Sequence, residues 1–93
     1  MNVIEANTAY KIGGEQTLRF IHRDEASESM AAGTTNEEVL EVVLDRIRGQ
    51  NRKVPCRENA LAITRIEEAL MWLARRSEKR FQQGVNGTDK THE

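Results

Sequence analysis

The chain predicts a mainly α fold with a small N-terminal β segment, in which an antiparallel helical hairpin assembles as an oligomer. Three observations point there. Ile63, Ile66, Leu70 and Leu73 repeat at spacings of three, four and three, a short heptad seam. Val39, Leu40, Val43, Leu44 and Ile47 form a second stripe of helical spacing. Finally, 93 residues with 4% aromatics make a marginal private core. The single cysteine, Cys56, cannot staple it through an intramolecular disulfide and fits a reducing compartment.

Taken in order as a single domain over 1–93, residues 3–23 read as two short strands around Gly13-Gly14, since glycine pairs accept the positive φ of tight turns. The second arm places Leu18, Phe20 and His22 on one face and Thr17, Arg19 and Ile21 on the other. An isolated hairpin is rarely stable in water, so this segment must pack on the helices or pair across an interface. Asp24 to Thr34 is small, polar and acidic, a connector with room for one helical turn. Thr35 followed three residues later by Glu38 forms a capping-box pattern, and helix one is expected over 36–48 with Gly49 as its stop. Residues 50–54 form a polar turn, Pro55 suits a first helical position, and helix two is expected over 55–83, about 40 Å long. Leu61, Ala69 and Trp72 widen its seam. Helix one, at about half that length, cannot cover so wide a stripe, and the surplus argues for an oligomer. Gly84 ends the helix, and 85–93 reads as a loose polar tail.

Fourteen basic and fifteen acidic side chains give a net charge of −1, which argues against binding long nucleic acid through counterion release. The absence of an apolar run of roughly 20 residues argues against a membrane span, and the first ten residues lack the layout of a signal peptide. A soluble protein of the cytoplasm is expected. The two histidines, His22 and His92, fall in a strand and in the tail, so no metal site or cofactor is expected. Cys56 stands at a helix start without a nearby base, and the adjacent Glu67 and Glu68 diverge on a helix, where ion pairs with Arg65, Arg75 or a neighbouring chain suit them better than acid–base work. Catalysis is therefore not expected.

Binding has more support. Asn59 extends the seam before Ile63, and Ser77 and Arg80 extend it beyond Leu73, while Arg57, Thr64, Glu68 and Arg75 recur along an adjacent face. Arginine's planar fork suits phosphate and asparagine can read a base edge, although the same residues also make an ordinary solvated face. Trp72 could stack on a base or simply be buried in the seam. Tyr10, Arg19 and Phe20 could cover a ligand held by the helices or pack a strand onto one.

The run Cys56-Arg57-Glu58-Asn59-Ala60-Leu61-Ala62-Ile63-Thr64, continued by Ile66 to Leu73 and closed by Gly84-Val85-Asn86-Gly87-Thr88, resembles small bacteriophage proteins of the anti-CBASS and Thoeris anti-defence family. Thr35 to Leu40 and Asp45-Arg46-Ile47 are similar to the same pattern. The resemblance implies a non-enzymatic sponge, acting in the infected host cell, that binds cyclic nucleotide second messengers (cyclic di- and trinucleotides or cyclic ADP-ribose isomers) and withholds them from immune effectors. It implies a helical hairpin assembled into dimers and commonly hexamers, with ligands between protomers. On this resemblance Arg57, Asn59, Thr64 and Arg65 are the first candidates for ligand contact, followed by Arg75, Arg76 and Arg80. The alternatives are a small helical adaptor for a host protein and a DNA-associated regulator. A messenger-hydrolysing enzyme has the least support.

Overall fold

A computed structural model describes residues 1–83 and divides the chain into two compact units, the first spanning residues 1–36 and the second beginning at residue 37. Five short strands build the first: β1 (Asn2–Glu5), β2 (Ala9–Ile12), β3 (Gln16–Arg19), β4 (His22–Arg23) and β5 (Met30–Ala31). Two helices build the second, α1 (Asn36–Lys53) and α2 (Arg57–Gln82).

In the first unit, β1, β2 and β3 form an antiparallel sheet in that order. The Gly13-Gly14 turn joins β2 to β3, with Gly14 at φ 68° and Glu15 at φ 57°. Asn7, at φ 64° between β1 and β2, is a residue whose short polar side chain tolerates that conformation. The register places Tyr10 opposite Leu18 and Ala9 opposite Arg19, and slips between Val3 and Glu5. Two strands were expected over 3–23, and there are three plus the start of a second hairpin. The expected connector holds that hairpin, because β4 pairs with β5 through His22↔Ala31 and Arg23↔Met30. Asp24 initiates its turn by accepting from the Ala26 amide at 3.0 Å, and its own N–H reaches the Ser29 carbonyl at 2.7 Å.

The two hairpins are tied by backbone bonds. Thr34, which follows β5, donates from its N–H to Arg19 O and accepts from Ile21 N, both at 2.9 Å, while Phe20 N to Thr8 O at 2.8 Å extends the β2–β3 pairing of the first sheet. Gly33 permits this approach, since a Cβ there would sit 2.6 Å from Ile21 N and 2.7 Å from Arg19 O and would also strike the Phe20 carbonyl carbon. Tyr10 and Phe20 meet edge to face at 6.0 Å between ring centroids, and Ala9 beneath them in sequence is buried.

In the second unit, α1 runs through Gly49, the expected stop, to Lys53. Gly14 is the sole described glycine with positive φ, so Gly49 keeps helical backbone at a cost of about 1 kcal/mol relative to alanine. Asn51 and Cys56 make the turn: Asn51 Oδ1 accepts from Cys56 N at 3.1 Å, and Cys56, extended at φ −151°, is the N-cap whose Sγ accepts from Asn59 N at 3.4 Å. Pro55 therefore precedes the cap instead of opening the helix. Along a continuous rod, Arg48 and Glu67 would stand about 28 Å apart, yet Arg48 Nη2 lies 2.6 Å from Glu67 Oε2, so α2 folds back along α1. Leu44 is the buried residue of this unit among those described. The Gly84 stop and the tail at 85–93 lie outside the described residues.

Candidate functional site on α2

At 3.6 residues per turn, α2 has two distinct sides. Asn59, Ile63, Ile66, Leu70, Leu73, Ser77 and Arg80 are all half-buried, the seam side read from the sequence. Arg57, Leu61, Thr64, Arg65, Glu68, Trp72 and Arg75 fall within an arc of about 100° roughly opposite, and all are exposed. Arg76 borders that arc. Trp72 and Leu61 therefore do not widen the seam. They stand well over a quarter turn away from it, and Trp72 is 59% exposed instead of buried.

The structure brings six of the sequence-derived candidates onto this outward face: Arg57, Thr64, Arg65, Trp72, Arg75 and Arg76. Thr64 uses its hydroxyl locally, donating to Ala60 O at 3.2 Å, and Arg65 pairs with Glu68 at 3.3 Å, a solvent-exposed i,i+3 contact of small energy. Glu67 instead pairs across to Arg48. Arg57, Arg75 and Arg76 have no ion pair or side-chain hydrogen bond among the described residues. Met71, Trp72, Ala74, Arg75 and Glu78 line a shallow depression in which an indole and a guanidinium sit one turn apart. An exposed indole beside an unpaired guanidinium can stack a planar ring and pair an anion at once. Asn59 and Arg80 lie on the other side, half-buried with the seam.

Tyr10, Arg19 and Phe20, expected to act together, are divided within the first unit. Tyr10 shares a sheet face with Leu18 and packs on Phe20, whereas Arg19 projects from the opposite face beside Ala9. The expected alternation also stops short, because β3 ends at Arg19 and β4 begins a new pairing at His22. Arg19 and His22 consequently line one cleft of about 310 Å³ with Glu5, Thr8 and Asp24. Glu5, Thr8, His22 and Asp24 carry no sign of this cleft in the sequence, since no local signal joins residues from separate strand ends. Within the cleft, Thr8 Oγ1 donates to Glu5 Oε2 at 3.2 Å. His22 Nδ1 lies 2.9 Å from the Phe20 carbonyl, which can only accept, so Nδ1 is the donor of this bond, and in that tautomer Nε2 is the acceptor. The Ala26 amide and then the Ser27 hydroxyl hold the Asp24 carboxyl below its ordinary 3.8. Among the described residues, no three His, Cys, Asp or Glu side chains converge as metal ligands, and no helix is long and apolar enough to cross a membrane.

Comparison with known proteins adds the family. The sequence matches the family described as "Acb2/Tad1, hairpin domain" over residues 11–78. It is 49% identical over 63 residues to Thoeris anti-defense 1 of Bacillus phage SBSphiJ7, a stretch covering 67% of this chain and 44% of that protein. The chain thus spans less than half the length of that curated relative.

Proposed function

Because the chain belongs to the Acb2/Tad1 hairpin-domain family, we propose that it is a phage anti-defence protein that binds cyclic nucleotide immune messengers and withholds them from CBASS or Thoeris effectors without degrading them. The messengers in view are cyclic di- or trinucleotides and cyclic ADP-ribose isomers. The observation that carries the reading is the outward face of α2, where a 59% exposed Trp72 stands one turn from Arg75 and Arg76, which have no partner among the described residues. A large apolar ring left in water is unfavourable, and cations beside it are what a nucleotide's phosphates require. The anti-Thoeris name of the 49% identical phage relative supports the same biological role.

In this proposal the protein works as a homo-oligomer, with dimers as the building block of a hexamer, in the cytoplasm of the infected bacterial cell. Exposed Val42, Leu61, Met71 and Phe81, between 42% and 76% accessible on the helices, give such contacts apolar surface to bury. With residues 54–56 alone between the helices, an 18-residue α1 flanks all but about the last eight residues of the 26-residue α2. Asn59 and Arg80, on the seam side, reach a ligand where another chain meets that side. A messenger enclosed between protomers stacks a base on Trp72, pairs phosphates with Arg75 and Arg76, and loses water, which strengthens each charge contact; Arg57, about 22 Å from Trp72 along α2, contributes from another protomer. Tight capture then follows chiefly from slow release.

Calorimetric titration of the protein and of Trp72→Ala and Arg75→Ala with a messenger panel tests this. Loss of a stacked base is worth ~1–3 kcal/mol, so Trp72→Ala should bind about 5- to 150-fold more weakly with its oligomeric state unchanged. Equal affinity in both variants would take this face out of the site. Failure of every messenger to bind would favour a host-protein adaptor using the same exposed apolar residues.

A further inference from the structure

The cleft of the N-terminal unit is lined by residues of that unit alone and is itself built as a site. Its walls are fixed by main-chain bonds: Phe20 N to Thr8 O on one side, and the Thr34 bonds to Arg19 and Ile21 on the other. Gly33 lets those strands close to a distance that no other residue allows. The cleft is therefore preformed, as small-molecule sites usually are, and its volume of about 310 Å³ lies at the low end of their roughly 300–1,000 Å³ range. That suits one sugar ring and its substituent, not a whole cyclic dinucleotide.

Its lining is chemically specific. Arg19 supplies donors with no partner among the described residues, while Glu5, Asp24 and, in the Nδ1–H tautomer that the Phe20 carbonyl selects, Nε2 of His22 supply acceptors and the Thr8 hydroxyl can do either. The two carboxylates outweigh the one guanidinium, so the cleft is net negative at neutral pH and disfavours a free phosphate. Donors and acceptors side by side in a small polar cleft match adjacent hydroxyl groups, each of which donates once and accepts twice.

We propose that this cleft binds the vicinal diol of a single uncharged sugar ring, with Glu5 and His22 accepting from the two hydroxyls and Arg19 donating to them. The proposal goes beyond the α2 reading and does not depend on it. The diol could belong to a nucleoside or to a free sugar, and both sources can be tested. The full-length protein is titrated by NMR with adenosine, 2′-deoxyadenosine and methyl β-ribofuranoside, following the Arg19 Nε–H, the His22 ring and the Thr8 amide, with the Trp72 indole N–H as reporter of the α2 face. Adenosine should shift the three cleft signals saturably and 2′-deoxyadenosine, which lacks the diol, should bind at least tenfold more weakly. Shifts with methyl riboside as well would identify the sugar ring alone as sufficient; shifts with adenosine alone would add a contribution from the base. Glu5→Gln, a variant of the same shape, should weaken the response at least fivefold while the Trp72 signal and the amide spectrum elsewhere stay unchanged. Cleft signals that ignore all three probes, or that answer equally to the 2′-deoxy compound, would overturn the proposal whatever the Trp72 signal does.

Discussion

Replacing Gly33 with alanine should unfasten the N-terminal unit at one point. The new Cβ would meet backbone atoms of Arg19, Phe20 and Ile21, at 2.6 Å from Ile21 N and 2.7 Å from Arg19 O, and backbone cannot swing aside as a flexible side chain could. Reaching an ordinary contact of 3.4 Å requires the Gly33 segment to withdraw by at least roughly 0.8 Å from Ile21 N, and further from the Phe20 carbonyl carbon. That withdrawal takes the two 2.9 Å bonds between Thr34 and residues Arg19 and Ile21 to about 3.7 Å or more, outside hydrogen-bond range. Each bond is worth about 1 kcal/mol net, so the junction should lose about 2 kcal/mol. Amide hydrogen exchange at Ile21 and Thr34 reads this directly, because about 2 kcal/mol corresponds to roughly 30-fold faster exchange where these amides open locally. The cleft signals of Arg19 and His22 should move as well, since Ala31 and Ala32 line the same cleft immediately before Gly33. Unchanged exchange at both amides would refute the reasoning, as it would mean that the strands do not approach as closely as the geometry requires.

Leu44→Ala should cost about 2–3 kcal/mol, the low end for a buried leucine because its half-buried neighbours can collapse inward, and should lower the melting temperature by about 10–20 °C at fixed protein concentration. Val42→Ala, at a residue 66% exposed in the single chain, should cost little at high dilution and more as copies associate; an equal effect at every concentration would count against assembly through that side of α1. Because the folded-state pKa of Asp24 is depressed, its turn contributes stability above the ordinary 3.8 that is lost as pH falls through a lower folded midpoint. The Ala26 amide shift should therefore titrate with a midpoint below 3.8, and Ser27→Ala should raise it; a midpoint at or above 3.8 in the unmodified protein would contradict the assigned bonds.

The helices were legible because their signals are local. The Val39 to Ile47 stripe and the Ile63 to Leu73 seam each declare a helix within a few turns, and the seam residues are half-buried as their spacing requires. Gly49 misled because a mid-helix glycine costs only about 1 kcal/mol, less than the turn of hydrogen bonds that continues through it to Lys53. The second hairpin was hidden for a different reason: β4 and β5 are two residues each, too short for any alternation to show. The apolar character of Trp72 suits the seam as well as a stacked base, yet its angular position on α2 places it on the side of Arg57 and Arg75, away from the half-buried seam. The cleft could not have been read at all, because Glu5, Thr8, Arg19, His22 and Asp24 meet only through strand pairings and through the close approach that Gly33 allows.

Capture followed by intact release distinguishes a sponge from an enzyme and from a protein that binds no messenger. The purified protein is mixed with cyclic di- and trinucleotides and cyclic ADP-ribose isomers, filtered, and the flow-through chromatographed before and after the retained protein is digested. At least one messenger should disappear from the filtrate in stoichiometric amount and return chemically unchanged on digestion. Recovery of an altered product would contradict the sponge reading and make the protein an enzyme, and a filtrate that never loses a messenger would contradict it outright.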